Sequence, residues 1–556
     1  MANIVNWKNS QVLEHVFAED KKPLDALHAS KALTEFLTHL ETMSGSDAEE
    51  SNRIFNLLVG EVYALSADNL DWEILLHSIN LRFGDSESAI ESLVSIIRKP
   101  SIAFEIKWYV YWQLVRHFFT NRQSYSTEFR YQQLKSAYTS IFNIFYKSLE
   151  QDIKAIKGIE TSILGQVEKT KIRPSSNKII IVTNQFLSSK HAPTRLCLDM
   201  ACSYMGMGFE VCIVNLASLP RLGNTLFFDG RGFNHVEQLS EPQQQISFSE
   251  NKIVRAPSLT SGSTISYGNT DIPFVQIRSH SDVASIAQCL DEHNPALVIS
   301  LSDSNLLTDS ISKLYQQKFP VVTFPTVADL PIQIHTIPVL RKTKRDFVPS
   351  DVNFEKALFS NDHYPHRHVS SNASRADVGL PADKYLISIV GSRLQDEVDE
   401  DLLKCLSALV KSDSGIAVAF IGSESFAIEG YFDDSLDNVV FLGHQKDLFT
   451  TISNTDLFVN PDRVGGGTGA VMALAAGLPV ATLDRHYSDV AWSVGTEFSF
   501  DSFSTIKSFI VRCKNESSFA QLQRELSLKK YAEKLDANAV YLKLLNDCGL
   551  DIPYAD

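Results

Sequence analysis

Apolar residues recur at helical spacing through the first part of the chain. Leu33, Phe36, Leu37 and Leu40 mark one face and Ile54, Leu57, Leu58 and Val62 another, and no period-two alternation interrupts the pattern up to about residue 165. Asp85 or Ser86 can cap a helix carrying Ile90, Leu93, Val94 and Ile97, which Pro100 stops after Arg98 and Lys99. The segment from Phe104 to Phe119, with Trp108, Tyr109, Tyr111 and Trp112, has the aromatic content of a ligand or partner surface or of a packed core, and the core is the preferred reading. Successive helical hairpins suggest a solenoid, yet no fixed-period repeat accompanies them. The pattern predicts an all-helical domain over 1–170.

Arg173-Pro174-Ser175-Ser176-Asn177 breaks that pattern, and Lys178 to Thr183 begins an apolar strand. Helical spacing at Leu196, Leu198, Met200 and Met205, then a strand from Glu210 to Val214, completes a βαβ unit. Further apolar runs at Ala296–Ser300 and Pro320–Phe324 continue the alternation expected of a parallel sheet. Between them and the first βαβ unit, Leu222 to Asn269 is rich in Gly, Ser, Thr and Gln and reads as loops or an irregular insertion. Residues 341–380 read as a crossing between domains, in which the basic group Arg341, Lys342, Lys344 and Arg345 could touch ligand phosphates, a solvated linker being the preferred reading. A second α/β unit opens at Tyr385 to Arg393, with strands at Ile416–Ile421 and Val439–Leu442.

Composition narrows the function. The 556 residues suffice for three domains. A net charge of −15 argues against a nucleic-acid or anionic-membrane partner. The N-terminus has no long apolar core and no later apolar run approaches ~20 residues, so a soluble, cytoplasmic protein without an integral membrane segment is expected. Seven cysteines show no paired metal spacing and read as reduced core thiols.

Candidate chemistry is concentrated in Asn460 to Val480. The apolar run Thr455 to Val459 leads into Gly465, Gly466, Gly467, Thr468 and Gly469. Successive glycines let a backbone approach a ligand, and a helix starting near Thr468 would add its positive end, so a diphosphate could sit there without a lysine. Gly477 and Pro479 end that helix before a strand from Val480 to Leu483.

Taken in order, the βα start at 178–214, Gly379-Leu380-Pro381, Val390-Gly391-Ser392-Arg393, Phe441-Leu442-Gly443-His444 and the 460–479 segment resemble the GT-B glycosyltransferase superfamily over most of 177–545. Ser488-Asp489-Val490 resembles the segment after its donor-site helix. The resemblance implies an α/β fold of two Rossmann-like domains facing a cleft: an acceptor-side domain over 177–345, a nucleotide-sugar-binding domain over 381–515, and C-terminal helices at 516–556 packing across the core. With an all-α domain in front, the architecture is similar to bacterial cytoplasmic N-glycosyltransferases of the O-GlcNAc-transferase-like group. His191-Ala192-Pro193-Thr194-Arg195 resembles their acceptor-side loop, and Arg393 stands where they would use a lysine against the donor diphosphate. In retaining GT-B enzymes a glutamate commonly occupies the position of Met472.

The reading that follows is a metal-independent glycosyltransferase with no cofactor. It would move a sugar from a nucleotide diphosphate donor, a UDP-sugar by preference, to a protein side chain or surface glycan. Arg393 and the amides of Gly466 to Gly469 would meet the leaving diphosphate, the alternative for Arg393 being a salt bridge with Asp396, Glu397 or Asp399. His191, Thr194 and Arg195 would face the acceptor, with His191 orienting or deprotonating it or serving only structure. Asp489 could contact the donor or act as an alternative base, or serve in a cap. Gly391, Ser392, Asn460, Gly465 and a nucleobase contact from His444 complete the expected donor site. The helical domain would present the acceptor or mediate assembly with a protein partner or a second copy. Two alternatives stay open: an inactive GT-B subunit that stabilises an active transferase, and a nucleotide-sugar 2-epimerase.

Overall fold

The computed structural model describes residues 70–157, 176–186, 192–216, 263–277, 294–360, 363–364 and 372–550, with short gaps inside these spans, 342–346 among them. The expectations for Leu33 to Val62, His191 and Cys289 lie outside the described residues.

Four helices open the described chain: α1 (Leu70–Phe83), α2 (Ser86–Arg98), α3 (Phe104–Thr120) and α4 (Thr127–Lys157). Asp85 caps α2 by accepting the Ser88 amide at 3.2 Å, which satisfies one of the orphan donors at a helix start. Ile90, Leu93, Val94 and Ile97 are buried as their spacing requires. The aromatic segment on α3 packs inward, with Trp108 stacked on Tyr111 at 5.4 Å. Large rings at helical spacing supply much of this module's buried apolar area, each contributing on the order of 2 kcal/mol when fully covered.

The first sheet has the order β3-β4-β2-β1-β5-β6-β7-β8. Its strands are β1 (Lys178–Thr183), β2 (Glu210–Leu216), β3 (Ser263–Tyr267), β4 (Thr270–Ile277), β5 (Leu297–Leu301), β6 (Val321–Phe324), β7 (Ile337–Arg341) and β8 (Leu358–Ser360). All neighbours pair in parallel except β3 with β4. That hairpin turns at Gly268, whose φ of +60° suits glycine, and it gives the end of the stretch read as an irregular insertion a regular structure. Strand β7 ends on the first residue of the stretch expected to be a solvated linker and β8 falls inside that stretch, so Arg341 is a strand residue and 9% exposed. One face of the sheet shares a continuous core with the helical module, through Ile180, Val182, Val214 and Val298. The other is covered by α5 (Ala192–Gly206) and by the last helix of the chain.

The helical module is also joined to this sheet by polar contacts. The buried Asp309 carboxylate, on α6 (Leu306–Leu314), accepts the Tyr138 hydroxyl at 2.8 Å from α4 and the amides of His335 and Thr336 at 2.8 and 3.0 Å. A buried carboxylate with this many donors is satisfied rather than stranded, and it holds the turn that leads into β7.

After α7 (Val352–Glu355) and β8 comes the second unit: β9 (Tyr385–Val390), α8 (Leu394–Glu397), α9 (Glu400–Ser412), β10 (Ile416–Ile421), β11 (Val439–Phe441), α10 (Leu448–Ser453), β12 (Leu457–Val459), α11 (Gly467–Ala475), β13 (Val480–Leu483), α12 (Asp489–Val494) and β14 (Ser499–Phe500). The strands are parallel, in the order β11-β10-β9-β12-β13-β14. Counted from β9, this is third, second, first, fourth, fifth, sixth, the doubly wound order of a Rossmann sheet. Helices α13 (Phe503–Asn515) and α14 (Ser517–Glu533) pack on this unit. Helix α15 (Ala537–Asp547) returns to the first, where Tyr541, Leu544 and Leu545 join its core. Among the described residues no helix is long and apolar enough to cross a membrane.

Candidate donor site

In a doubly wound sheet the order reverses between the first and fourth strands, and the loops leaving their carboxyl ends splay apart to form a crevice. Here those strands are β9 and β12. The loop after β9 is Gly391-Ser392-Arg393 and the loop after β12 is Asn460 to Gly466, so the structure brings together two segments that the sequence reading assigned separately to the donor. Helix α11 begins at Gly467, and its first intrahelical amide bond runs from Ala470 to Gly466. The amides of Gly467, Thr468 and Gly469 therefore lead the helix without i→i−4 partners, an arrangement that favours an anion.

The glycines do more than admit a ligand. A Cβ on Gly391 would lie 2.5 Å from Arg463 Nη1, and one on Gly466 would lie 2.6 Å from both Arg463 Nη2 and Asn460 Oδ1. Both glycines make room for an interior arginine. Gly466 also has φ +97°, which a side chain would resist. Around Gly465, by contrast, an added Cβ meets nothing within 4 Å, so that is where the backbone is open to a ligand.

Arg463 is the residue the sequence reading passed over. Its Nε donates to Asn460 Oδ1 at 2.9 Å, Nη1 to Glu397 Oε2 at 2.5 Å and Nη2 to the Val390 carbonyl at 2.6 Å. It ties the end of β9 to the loop after β12. Asn460 is wholly buried, and its carboxamide accepts from Arg463 and donates to the Pro461 carbonyl at 2.7 Å, which braces the loop.

Arg393 faces the same crevice but is not alone there. Its Nη2 and Nε reach Glu397 Oε1 at 2.7 and 3.1 Å, the ion pair that had been the alternative to a phosphate contact. Its guanidinium also lies 5.2 Å from the Phe119 ring centroid. Burial works against the Glu397 charge, yet Arg463 and Arg393 on either side hold its carboxyl below the ordinary range. Ser392 and His444 are exposed at the ends of their strands.

The opposite wall comes from the first sheet. Its own order reverses between β1 and β5, and Asp303 follows β5. Burial pushes the Asp303 carboxyl up, against the Thr326 amide and hydroxyl that donate to it at 3.1 and 3.0 Å. Arg341, at the carboxyl end of β7, donates to Asp489 Oδ1 at 3.0 Å and stacks at 4.1 Å on Trp492. The carboxyl ends of the two sheets thus face each other. Asp489 leads α12 beside Gly467, where an added Cβ would stand 3.3 Å from its own, while the cap of α12 is Ser488, accepting the Ala491 amide at 3.2 Å. Its carboxylate accepts from Arg341, and Asp489 stands in the first turn of α12, one residue past the cap. Thr194 is wholly buried in the first turn of α5, and the neighbouring Arg195 reaches Tyr364.

Two Rossmann-like units joined at the carboxyl ends of their strands, with a helix returning from the second to the first, make the fold GT-B. No family model matches the chain, and no curated protein matches it in sequence. Among solved structures, a mutant of the O-GlcNAc transferase of Thermobaculum terrenum superposes over 96% of this chain and 95% of its own, with a TM-score of 0.51 at 11% identity. HepE of Anabaena in complex with UDP covers 66% of this chain and 98% of its own, with a TM-score of 0.44 at 11% identity. TarM covers 68% and 99%, with a TM-score of 0.43 at 11% identity. The first of these spans the helical module as well as the two Rossmann-like units.

Proposed function

We propose that this chain is a glycosyltransferase that takes a sugar from a nucleotide diphosphate donor, a UDP-sugar by preference, without a metal or cofactor, and delivers it to a protein side chain or surface glycan. One observation carries the reading: at the switch point of the second sheet, the loop after β9, Gly391 to Arg393, and the loop after β12, which leads into the unpartnered first amides of α11, leave adjacent strands and are tied together by Arg463. When the bond between the anomeric carbon and the diphosphate oxygen breaks, the electron pair leaves with the diphosphate. Fixed amides and the Arg393 guanidinium are suited to that charge because they need no reorganisation as it develops. The acceptor oxygen or nitrogen bonds to the same carbon and gives its proton to a base, the role kept for His191. Six described cysteines are unpaired, which supports a reducing compartment such as the cytoplasm.

Titration of the purified protein with UDP, GDP, CDP and UDP-sugars by calorimetry, with donor hydrolysis followed alongside, tests this directly. Saturable binding of UDP with slow hydrolysis is expected, and Arg393→Ala should lower hydrolysis by about 100-fold with little change in melting temperature. Absence of nucleotide binding would sink the proposal.

A second reading, a GT-B subunit that supports an active transferase, is favoured by Glu397, which pairs with Arg393 as well as with Arg463 and so holds Arg393 in an ion pair within the protein. UDP-sugar binding with no hydrolysis and no transfer to any acceptor would select it.

A further inference from the structure

We propose that the helical module is part of the donor site, with Arg122 and Arg130 acting through Tyr487 as positioning residues for the glycine cradle. This rests on the cradle being the nucleotide site. Among the described residues, three contacts between the module and the second unit bear on the cradle. Phe119 lies 5.2 Å from Arg393. Thr127 Oγ1 is 2.6 Å from His486 Nε2. Arg122 and Arg130 stand 5.5 and 5.9 Å from the Tyr487 ring centroid.

The third contact leads into the site. Tyr487 donates its hydroxyl to Asp462 Oδ1 at 2.9 Å, and Arg485 Nε donates to the other carboxylate oxygen at 3.0 Å. Asp462 is adjacent to Arg463, so the entrance of the cradle is anchored by two consecutive residues. Arg463 binds within the second unit, while Asp462 is held through Tyr487 by the helical module.

Both guanidiniums are nearly inaccessible, at 4% and 3% exposure. Arg122 pairs with Asp329 and Arg130 Nη1 donates to the Arg122 and Tyr125 carbonyls at 3.0 and 2.5 Å. Two neighbouring buried cations are a costly way to glue domains together, and apolar side chains of equal volume would commonly do as well. What apolar replacements would not supply is a fixed cationic platform on the face of a tyrosine ring, which restrains the ring and the direction of its hydroxyl.

UDP affinity, measured by calorimetry on the full chain, tests the inference with Tyr487→Phe, Arg122→Met and the double variant. Tyr487→Phe keeps the ring under both arginines and removes only the hydroxyl, and it should weaken UDP binding about tenfold. Arg122→Met should do the same, and the double variant should bind no more weakly than the poorer single one, because both act along one route. Additive losses would overturn the coupling, as would wild-type UDP affinity in Tyr487→Phe. That variant decides alone if Arg122→Met does not fold. Failure of the unmodified chain to bind any nucleotide would remove the donor reading itself, and this inference with it.

Discussion

Arg463 uses all three of its guanidinium nitrogens inside the protein, so it shapes the donor crevice without being free to bind phosphate. The glycines around it divide accordingly. Gly466→Ala would force an L side chain to φ +97° and against Arg463 and Asn460, costing about 2 kcal/mol or more. A lower melting temperature together with lost UDP binding is expected. Gly465→Ala adds a methyl that meets nothing within 4 Å, so its melting temperature should match the parent while UDP affinity falls. A Gly465→Ala variant that binds UDP normally would show that the open backbone there does not face the donor.

At the scale of elements, α3 carries a titration that the donor chemistry does not use. Burial pushes the His117 imidazole down to about 4. Asn121 Nδ2 stands 3.3 Å from His117 Nδ1, and His117 Nε2 is 2.8 Å from the Tyr125 hydroxyl, which donates to Ser86 at 2.6 Å. These contacts fit a neutral ring that accepts at Nδ1 and donates at Nε2. The unfolded chain takes up a proton near the ordinary 6.5 that the folded chain refuses. The contribution is therefore full above that pH and is lost on acidification toward 4, reaching on the order of 3 kcal/mol. Denaturant midpoints measured across this window should fall more steeply for the parent than for His117→Gln, and parallel slopes would refute the assignment. Element boundaries were largely legible from periodicity, as at α2, where Asp85 and Lys99 bracket the apolar face. The short strands β7 and β8 were not, because a run of three to five residues carries too little alternation to register.

For the whole molecule, one joint between the units among the described residues is the Arg341–Asp489 pair, with side chains 10% and 13% exposed. Removing one member leaves a largely buried charge unpaired, so Arg341→Met should cost about 3 kcal/mol. Thermal unfolding followed by calorimetry should then separate into two transitions as the second unit uncouples from the first. Adding Asp489→Asn should recover part of the loss. A single unshifted transition in Arg341→Met would show that the joint is held elsewhere.

The α/β alternation, the helical front and the glycine turn ahead of α11 were determined by the sequence itself, because each rests on local physics: side-chain periodicity, capping, and the backbone freedom of glycine. The roles of the charged residues were decided by the tertiary structure. Arg341 and Asp489 are 148 positions apart and Arg463 and Glu397 are 66 apart, and nothing in the spacing of either pair distinguishes it from other charges on the chain. An ion pair depends on where two side chains end in space, so only the packing of the sheets and the helical module could show that Arg393 shares a carboxylate, that two glycines serve an arginine, and that all three parts of the molecule meet at the cradle.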